Sequence, residues 1–197
     1  MTLPTLLETL RQALGRTATT PPLPLPDLPP ALVRPRLDPA PLAPTFAARA
    51  TAAGAEVVTV TASALDDTIR ALAPASQSTR DLRTRRVAET ADTRAAIFAL
   101  DATIAEADLA IAASGTLVFA APELDHDDHL ALMAAPLVIA IVPVDRIVPT
   151  LADALGTLPP PPATRLLVTG PSKTADIEGI LVTGVHGPER LVVMVVT

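Results

Sequence analysis

Cysteine, tryptophan and tyrosine are absent from this 197-residue chain, and phenylalanine occurs only at Phe46, Phe98 and Phe119. Without thiols the chain can form no disulfide, no thiolate nucleophile, and no zinc–thiolate or iron–sulfur ligation of its own. With so few aromatics it also lacks the stacking platforms of a single-strand nucleic-acid binder. Positive charge is scarce too: net charge is −6, pI is about 5.0, and Lys173 is the single lysine. A nucleic-acid partner, which calls for a basic footprint, is therefore excluded. The longest apolar run, Leu130 to Pro143, is too short for a membrane span of about 20 residues. No basic residue precedes Arg11, and Glu8 lies in the first turns. The start does not read as a signal peptide, so a cytoplasmic location is expected.

What is present is an apolar chain, 49% hydrophobic and 18% charged. At this length it is expected to hold one core-forming domain, or one domain with an arm. Leu3, Leu6, Leu7, Leu10 and Leu14 recur at helical spacing, and Gly15 stands where a helix would end, which predicts a helix over 2–15 within an N-terminal segment 1–16. Ten prolines lie between Pro21 and Pro44. Proline removes the donor that helix and sheet interiors need, so residues 17–44 are expected to be an extended arm. Such an arm could be a spacer or a ligand for an aromatic groove.

Beyond the arm, residues 45–197 are expected to form the domain. Helices are expected over 45–53, 64–73, 147–155 and 174–180, and strands over 56–61, 109–112, 116–120, 137–142, 166–169 and 191–196. Residues 80–91 read either way, and 92–106 carry no assignment. The fully apolar run Leu137–Val142 suits a strand covered on both faces. Strands alternating with helices predict an α/β domain with a mostly parallel sheet between helical layers.

Four segments carry candidate chemistry. In Gly170-Pro171-Ser172-Lys173-Thr174 a strand runs into glycine and a helix is expected to follow. Ser172 or Thr174 could cap that helix, and its N-terminus together with Lys173 would attract an anion. The stretch is not a P-loop, because Gly170 is only three residues before Lys173 and Arg165 stands where that motif has glycine. A plain cap with a solvated lysine accounts for it equally well. In Ser114-Gly115-Thr116 two hydroxyls flank a glycine between apolar strands: either a ligand approaches the backbone there, or the segment is a tight hairpin turn. His186, between Gly184 and Gly187, is a candidate acid–base or anion-binding residue, set against a structural role. Asp125-His126-Asp127-Asp128-His129 has donors for a divalent metal but reads better as a solvated loop, and no metal is assigned.

Taken in order, Ala113-Ser114-Gly115-Thr116-Leu117, Asp145 to Leu151, Gly170 to Glu178, and Gly184-Val185-His186-Gly187-Pro188 resemble the lactate-utilization (LUD) family over roughly residues 45–197. The resemblance implies a three-layer α/β/α fold like that of the ribose-phosphate isomerase and CoA-transferase group. It implies a part in oxidising lactate to pyruvate, beside partner subunits that carry iron–sulfur clusters. This cysteine-free chain would carry no cofactor and would bind a small anionic ligand through Ser114, Gly115, Thr116, Gly170, Pro171, Ser172, Lys173, Thr174, His186 and Gly187. Ala113, Val138 and the arginine-free loop from Pro122 to Ala135 depart from the family pattern, in the direction of a non-catalytic or co-catalytic subunit. Two other classes stay open: a free-standing enzyme or binding protein for a phosphorylated or CoA-linked small molecule, and a scaffold using its proline-rich arm.

Overall fold

The computed structural model describes residues 3–17, 41–73, 78–83, 94–120, 126–158, 164–175 and 181–197. It separates into two compact units, Met1–Val33 and Arg34–Thr197. In the first, helix α1 (Leu3–Ala13) closes with Gly15 at φ +61°. Gly15 donates to Gln12 and Arg16 to Arg11, the paired closing bonds of a Schellman cap. Its leucines Leu6, Leu7, Leu10 and Leu14 are exposed.

The second unit opens with α2 (Leu42–Ala52), which begins earlier than the proline content suggests. Pro44 lies in its first turn, where a helix has no intrahelical use for the missing N–H. Strand β1 (Glu56–Val60) and helix α3 (Leu65–Leu72) follow, then β2 (Thr79–Asp81), α4 (Arg94–Phe98) and β3 (Ala102–Glu106). Three of the next elements are β4 (Leu109–Ile111), β5 (Thr116–Phe119) and helix α5 (His126–Ala134). Then come β6 (Leu137–Pro143), β7 (Ile147–Val148) and α6 (Leu151–Thr157). The chain finishes with β8 (Leu166–Val168), β9 (Lys173–Ala175), β10 (Leu181–Thr183) and β11 (Arg190–Val196).

The main sheet has the order β1-β11-β6-β3-β2, and every pairing in it is parallel. Side chains alternate across it, as a pleated strand requires. Ile139, Ile141, Val192, Met194 and Ile104 pack on one face with Ile69 of α3. Val138, Ala140, Val142, Leu191 and Val193 face the other way, onto Phe46 and Ala50 of α2 and onto Leu117 and Phe119 of β5. A second sheet, β7-β4-β5-β8, covers that face, and its outer surface (Leu109, Ile111, Val118) buries Ala154 of α6. The expected three-layer α/β architecture with a mostly parallel central sheet is thus present. Thr103 of β3 is fully buried, and its hydroxyl donates to the Ala131 carbonyl of α5 at 3.0 Å.

Several local expectations are corrected. Residues 147–148 form a strand, not the start of a helix, because Pro149 disfavours helical backbone at Val148. The helix begins after Thr150, which shares a capping box with Asp153. Residues from His126 onward form α5 instead of a solvated loop, and Asp128 pairs with Arg80 at 2.7 Å. The helix expected from Thr174 is overturned: Lys173–Ala175 pair antiparallel with Leu181–Thr183. There, cross-strand pairing outweighs a local capping pattern of weak propensity. The remainder of that expected helix, 176–180, and most of 17–44 lie outside the described residues. So do Asp125 and most of 80–91. Strand β3 and helix α4 occupy the span left unassigned.

Candidate functional site

Two turns meet at the corner where α2 ends and β1 begins. The first joins β4 to β5, and the Gly115 amide donates to the Ile111 carbonyl at 2.9 Å. Gly115 has φ +68°, and a Cβ there would overlap the backbone of Arg49 and Ala50 in α2. The second follows β8. Gly170, also at φ +68°, abuts the Ala53 carbonyl so closely that a Cβ has no room. Both glycines therefore permit backbone-to-backbone approach as well as an unusual φ. What fills the space beside them is the last turn of α2.

The turns are tied together by hydroxyls. Thr116 Oγ1 is 2.7 Å from Ser114 Oγ and 2.7 Å from Thr169 Oγ1. Thr116 is buried, whereas Ser114 and Thr169 are exposed.

Lys173 serves the same helix end. Gly54 at φ +100° and Ala55 close α2 with bonds to Thr51 and Ala50, again a Schellman pattern. The Lys173 ammonium donates to the remaining Ala53 carbonyl at 2.8 Å, a cation at the negative end of a helix dipole. With Lys173–Ala175 in a strand, no helix begins at Ser172–Thr174 among the described residues. The expected anion cradle of dipole plus lysine is replaced by a lysine engaged in a C-cap.

The loop Gly184–Pro188 wraps Ser172: the Ser172 amide donates to the Pro188 carbonyl at 2.8 Å, and the Gly184 amide donates to the Ser172 carbonyl at 3.0 Å. Gly187 lies against the Ser172 side chain, so that a Cβ would come within 3.0 Å of it. His186 projects from this loop, exposed, and among the described residues no partner orients its ring. Thr174 is exposed on β9, and Pro171 is half-buried beside Gly54.

The residues singled out in the two turns and the Gly184–Pro188 loop thus gather in one neighbourhood, at a different edge from the one expected. Ala53–Gly54 immediately precedes β1 and Pro188 precedes β11, so the cluster lies at the amino ends of the parallel strands. The strand that feeds Gly170 is a half-exposed edge strand of the second sheet, not a buried member of the main one.

The carboxyl edge, where open α/β sheets usually bind ligands, holds residues that sequence reasoning passed over. Arg83 bonds Asp81 at 2.7 Å and Asp66 at 3.1 Å. The bond from Asp81 raises the Arg83 pKa most, burial opposes it, and Asp66 raises it further. Arg146 pairs with Glu106 at 2.8 Å. The one legible hint was Asp81-Leu82-Arg83, whose ends can meet across a turn after β2. Among the described residues no group of three or more His, Asp or Glu side chains could hold a metal ion, and no helix is long and apolar enough to cross a membrane.

Comparison with known proteins gives a consistent result. The LUD domain family's profile matches residues 78–196. Lactate utilization protein C of Geobacillus kaustophilus is 37% identical over 102 residues, which is 48% of this chain and 41% of that protein. Lactate utilization protein C 1 of Bacillus mycoides is 39% identical over 105 residues, 50% of this chain and 44% of that one. The matched region is thus about two fifths of the length of these relatives. The crystal structure of a DUF162 family protein from Deinococcus radiodurans superposes with a TM-score of 0.55 at 20% identity, covering 82% of this chain and all of that one, a likeness of fold alone.

Proposed function

The chain belongs to the LUD domain family, and from that premise we propose that it takes part in lactate utilization, as a subunit in the oxidation of lactate to pyruvate. That oxidation releases two electrons and two protons. The family resemblance implies partner subunits with iron–sulfur clusters, which would take up these electrons; without cysteine this chain supplies no thiolate ligand for such a cluster. The contribution of this chain is to bind the small anionic substrate, in a co-catalytic or non-catalytic role.

The observation that carries the proposal is the convergence of the Ser114–Thr116 turn and the Thr169–Lys173 turn on the end of α2. Three linked hydroxyls meet there, and the Lys173 ammonium, which has no carboxylate partner among the described residues, caps the same helix end at the Ala53 carbonyl. Hydroxyl donors near an unneutralised cation suit a carboxylate of a few carbons. The names of the relatives, lactate utilization protein C, support lactate as that carboxylate.

The test is genetic and then biochemical. A strain lacking this chain is expected to lose growth on lactate as sole carbon source while keeping growth on pyruvate. The chain purified with its co-eluting partners is expected to support lactate-dependent dye reduction. Undiminished lactate growth in the deletion strain overturns the proposal. A chain that elutes alone and binds a phosphate ester in preference to lactate replaces it with a free-standing enzyme or binding protein for phosphorylated or CoA-linked compounds.

A further inference from the structure

The three hydroxyls at this corner have a constraint on their protons. A hydroxyl has one proton to give and two lone pairs. Thr116 Oγ1 touches Ser114 Oγ and Thr169 Oγ1, each at 2.7 Å, and none of the three side chains has any other bond partner among the described residues. Thr116 is 5% exposed, so pointing its proton at neither neighbour would leave a buried donor unsatisfied, at a cost of about 1–3 kcal/mol. It therefore donates to one neighbour and accepts from the other. When it donates to Thr169, Ser114 has spent its proton inward and offers solvent only lone pairs, while the Thr169 proton is free to point outward. When Thr116 turns, the two ends exchange roles together. At every moment one exposed end is a donor and the other an acceptor.

We infer that Ser114 and Thr169 form a two-ended recognition site for 2-hydroxy carboxylates, with Thr116 as the positioning residue that keeps the ends opposite in polarity. The inference rests on the functional proposal above and gives its ligand a place. The carboxylate of the ligand accepts from the donor end, and its hydroxyl donates to the acceptor end. The ends are separated by no more than twice the 2.7 Å link, a span that a three-carbon hydroxy acid can bridge. Charge favours the same ligand. In a chain of net charge −6, the cationic Lys173 has no ion pair among the described residues and rests on the Ala53 carbonyl against which Gly170 packs. A keto acid or a plain carboxylate has acceptors only, so it satisfies the donor end and faces lone pairs at the other.

Binding of lactate, pyruvate and propionate to the purified full chain, by calorimetry or saturation-transfer NMR, tests this directly. The wild type is expected to bind lactate about tenfold more tightly than pyruvate or propionate, the worth of one added hydrogen bond. In Thr116→Val the ends are uncoupled and both can donate, so pyruvate gains on lactate and the lactate-to-pyruvate preference falls about tenfold. Thr116→Ser keeps the hydroxyl and is expected to restore the preference. A purely structural threonine would shift all three affinities together. If Thr116→Val fails to fold, Ser114→Ala and Thr169→Val at the exposed ends are expected to lower lactate binding and leave propionate within about threefold. An unchanged preference in Thr116→Val, or no binding of any of the acids by the wild type, overturns the inference. These measurements use no partner subunit. A responsive preference alongside a deletion strain that still oxidises lactate would remove the functional proposal and leave the site. Lost lactate growth alongside an unresponsive preference would do the reverse.

Discussion

At the amino end of the parallel sheet the chain is held mainly by close backbone approach, beside the exposed ion pair of Arg190 with Glu56 at 3.0 Å. Gly115 and Gly170 lie directly on the last turn of α2, and hydroxyls bridge the two turns. At the carboxyl end it is held by charge: Arg83 between Asp81 and Asp66, and Arg146 against Glu106. The difference teaches where each end tolerates change. Ion pairs that are part-exposed are screened by water and salt and contribute little. A backbone contact with no room for one carbon has no such softness, because the helix must move to accept it.

The largest expected effect lies at the amino end. Gly115→Ala and Gly170→Ala each combine a positive φ with overlap on backbone atoms, and each is expected to cost more than about 3 kcal/mol. Gly15→Ala is the internal control: its φ is +61° but nothing lies within 4 Å of the added carbon, so only a conformational cost of about 1–2 kcal/mol remains, borne by helix α1 of the first unit and not by the unfolding of the second. Urea denaturation of the three variants checks this. Equal losses at Gly15 and Gly170 would show that φ, not contact, governs the corner.

Arg83→Met comes next, with an expected loss of about 1 kcal/mol at low salt that shrinks as salt rises. The raised Arg83 pKa means that its stabilisation is present below the ordinary arginine value and is lost only as pH rises through the higher folded value. Salt, rather than pH near neutrality, is therefore the lever. A loss independent of salt would point to packing of the arginine stem instead.

Lys173→Met removes the cation from the end of α2 and is expected to cost about 0.3–1 kcal/mol, read as a small fall in the urea midpoint. A cost above that of Gly170→Ala would reverse the ranking of contact over charge at this corner. The smallest effect is expected from removing the first unit. A chain beginning at residue 34 is expected to melt within about 2 °C of the full chain. A larger fall in differential scanning calorimetry would mean that the comparison of the two sheet ends omits a third support.

Much of this was open to view in the residues themselves. Leu137–Val142 and Leu191–Val196 read as buried strands because a strand covered on both faces must be apolar at every position. Gly15 and Gly54 marked helix ends because an L side chain resists the left-handed backbone a Schellman cap needs. The Ser114-Gly115-Thr116 turn was placed correctly between its strands. The segment after Gly170 was not. Ser172-Lys173-Thr174 carries capping residues, and nothing local says that Leu181–Thr183 will return to pair with it. Leu181-Val182 in β10 and Leu191-Val192 in β11 look alike in sequence, yet the first is exposed and the second buried, because only β11 lies between two neighbours.

The sequence by itself determined the absence of thiol chemistry, the α/β alternation, the central strands and the glycines that permit tight turns. These follow from composition, from the period of apolar residues and from backbone sterics, all properties of neighbours along the chain. The tertiary structure alone decided that Thr169 meets Thr116, that Lys173 caps a helix 120 residues before it, and that the corner lies at the amino rather than the carboxyl ends of the strands. Those outcomes depend on which strands pair and which surfaces pack, and such contacts between distant residues leave no period in the sequence to read.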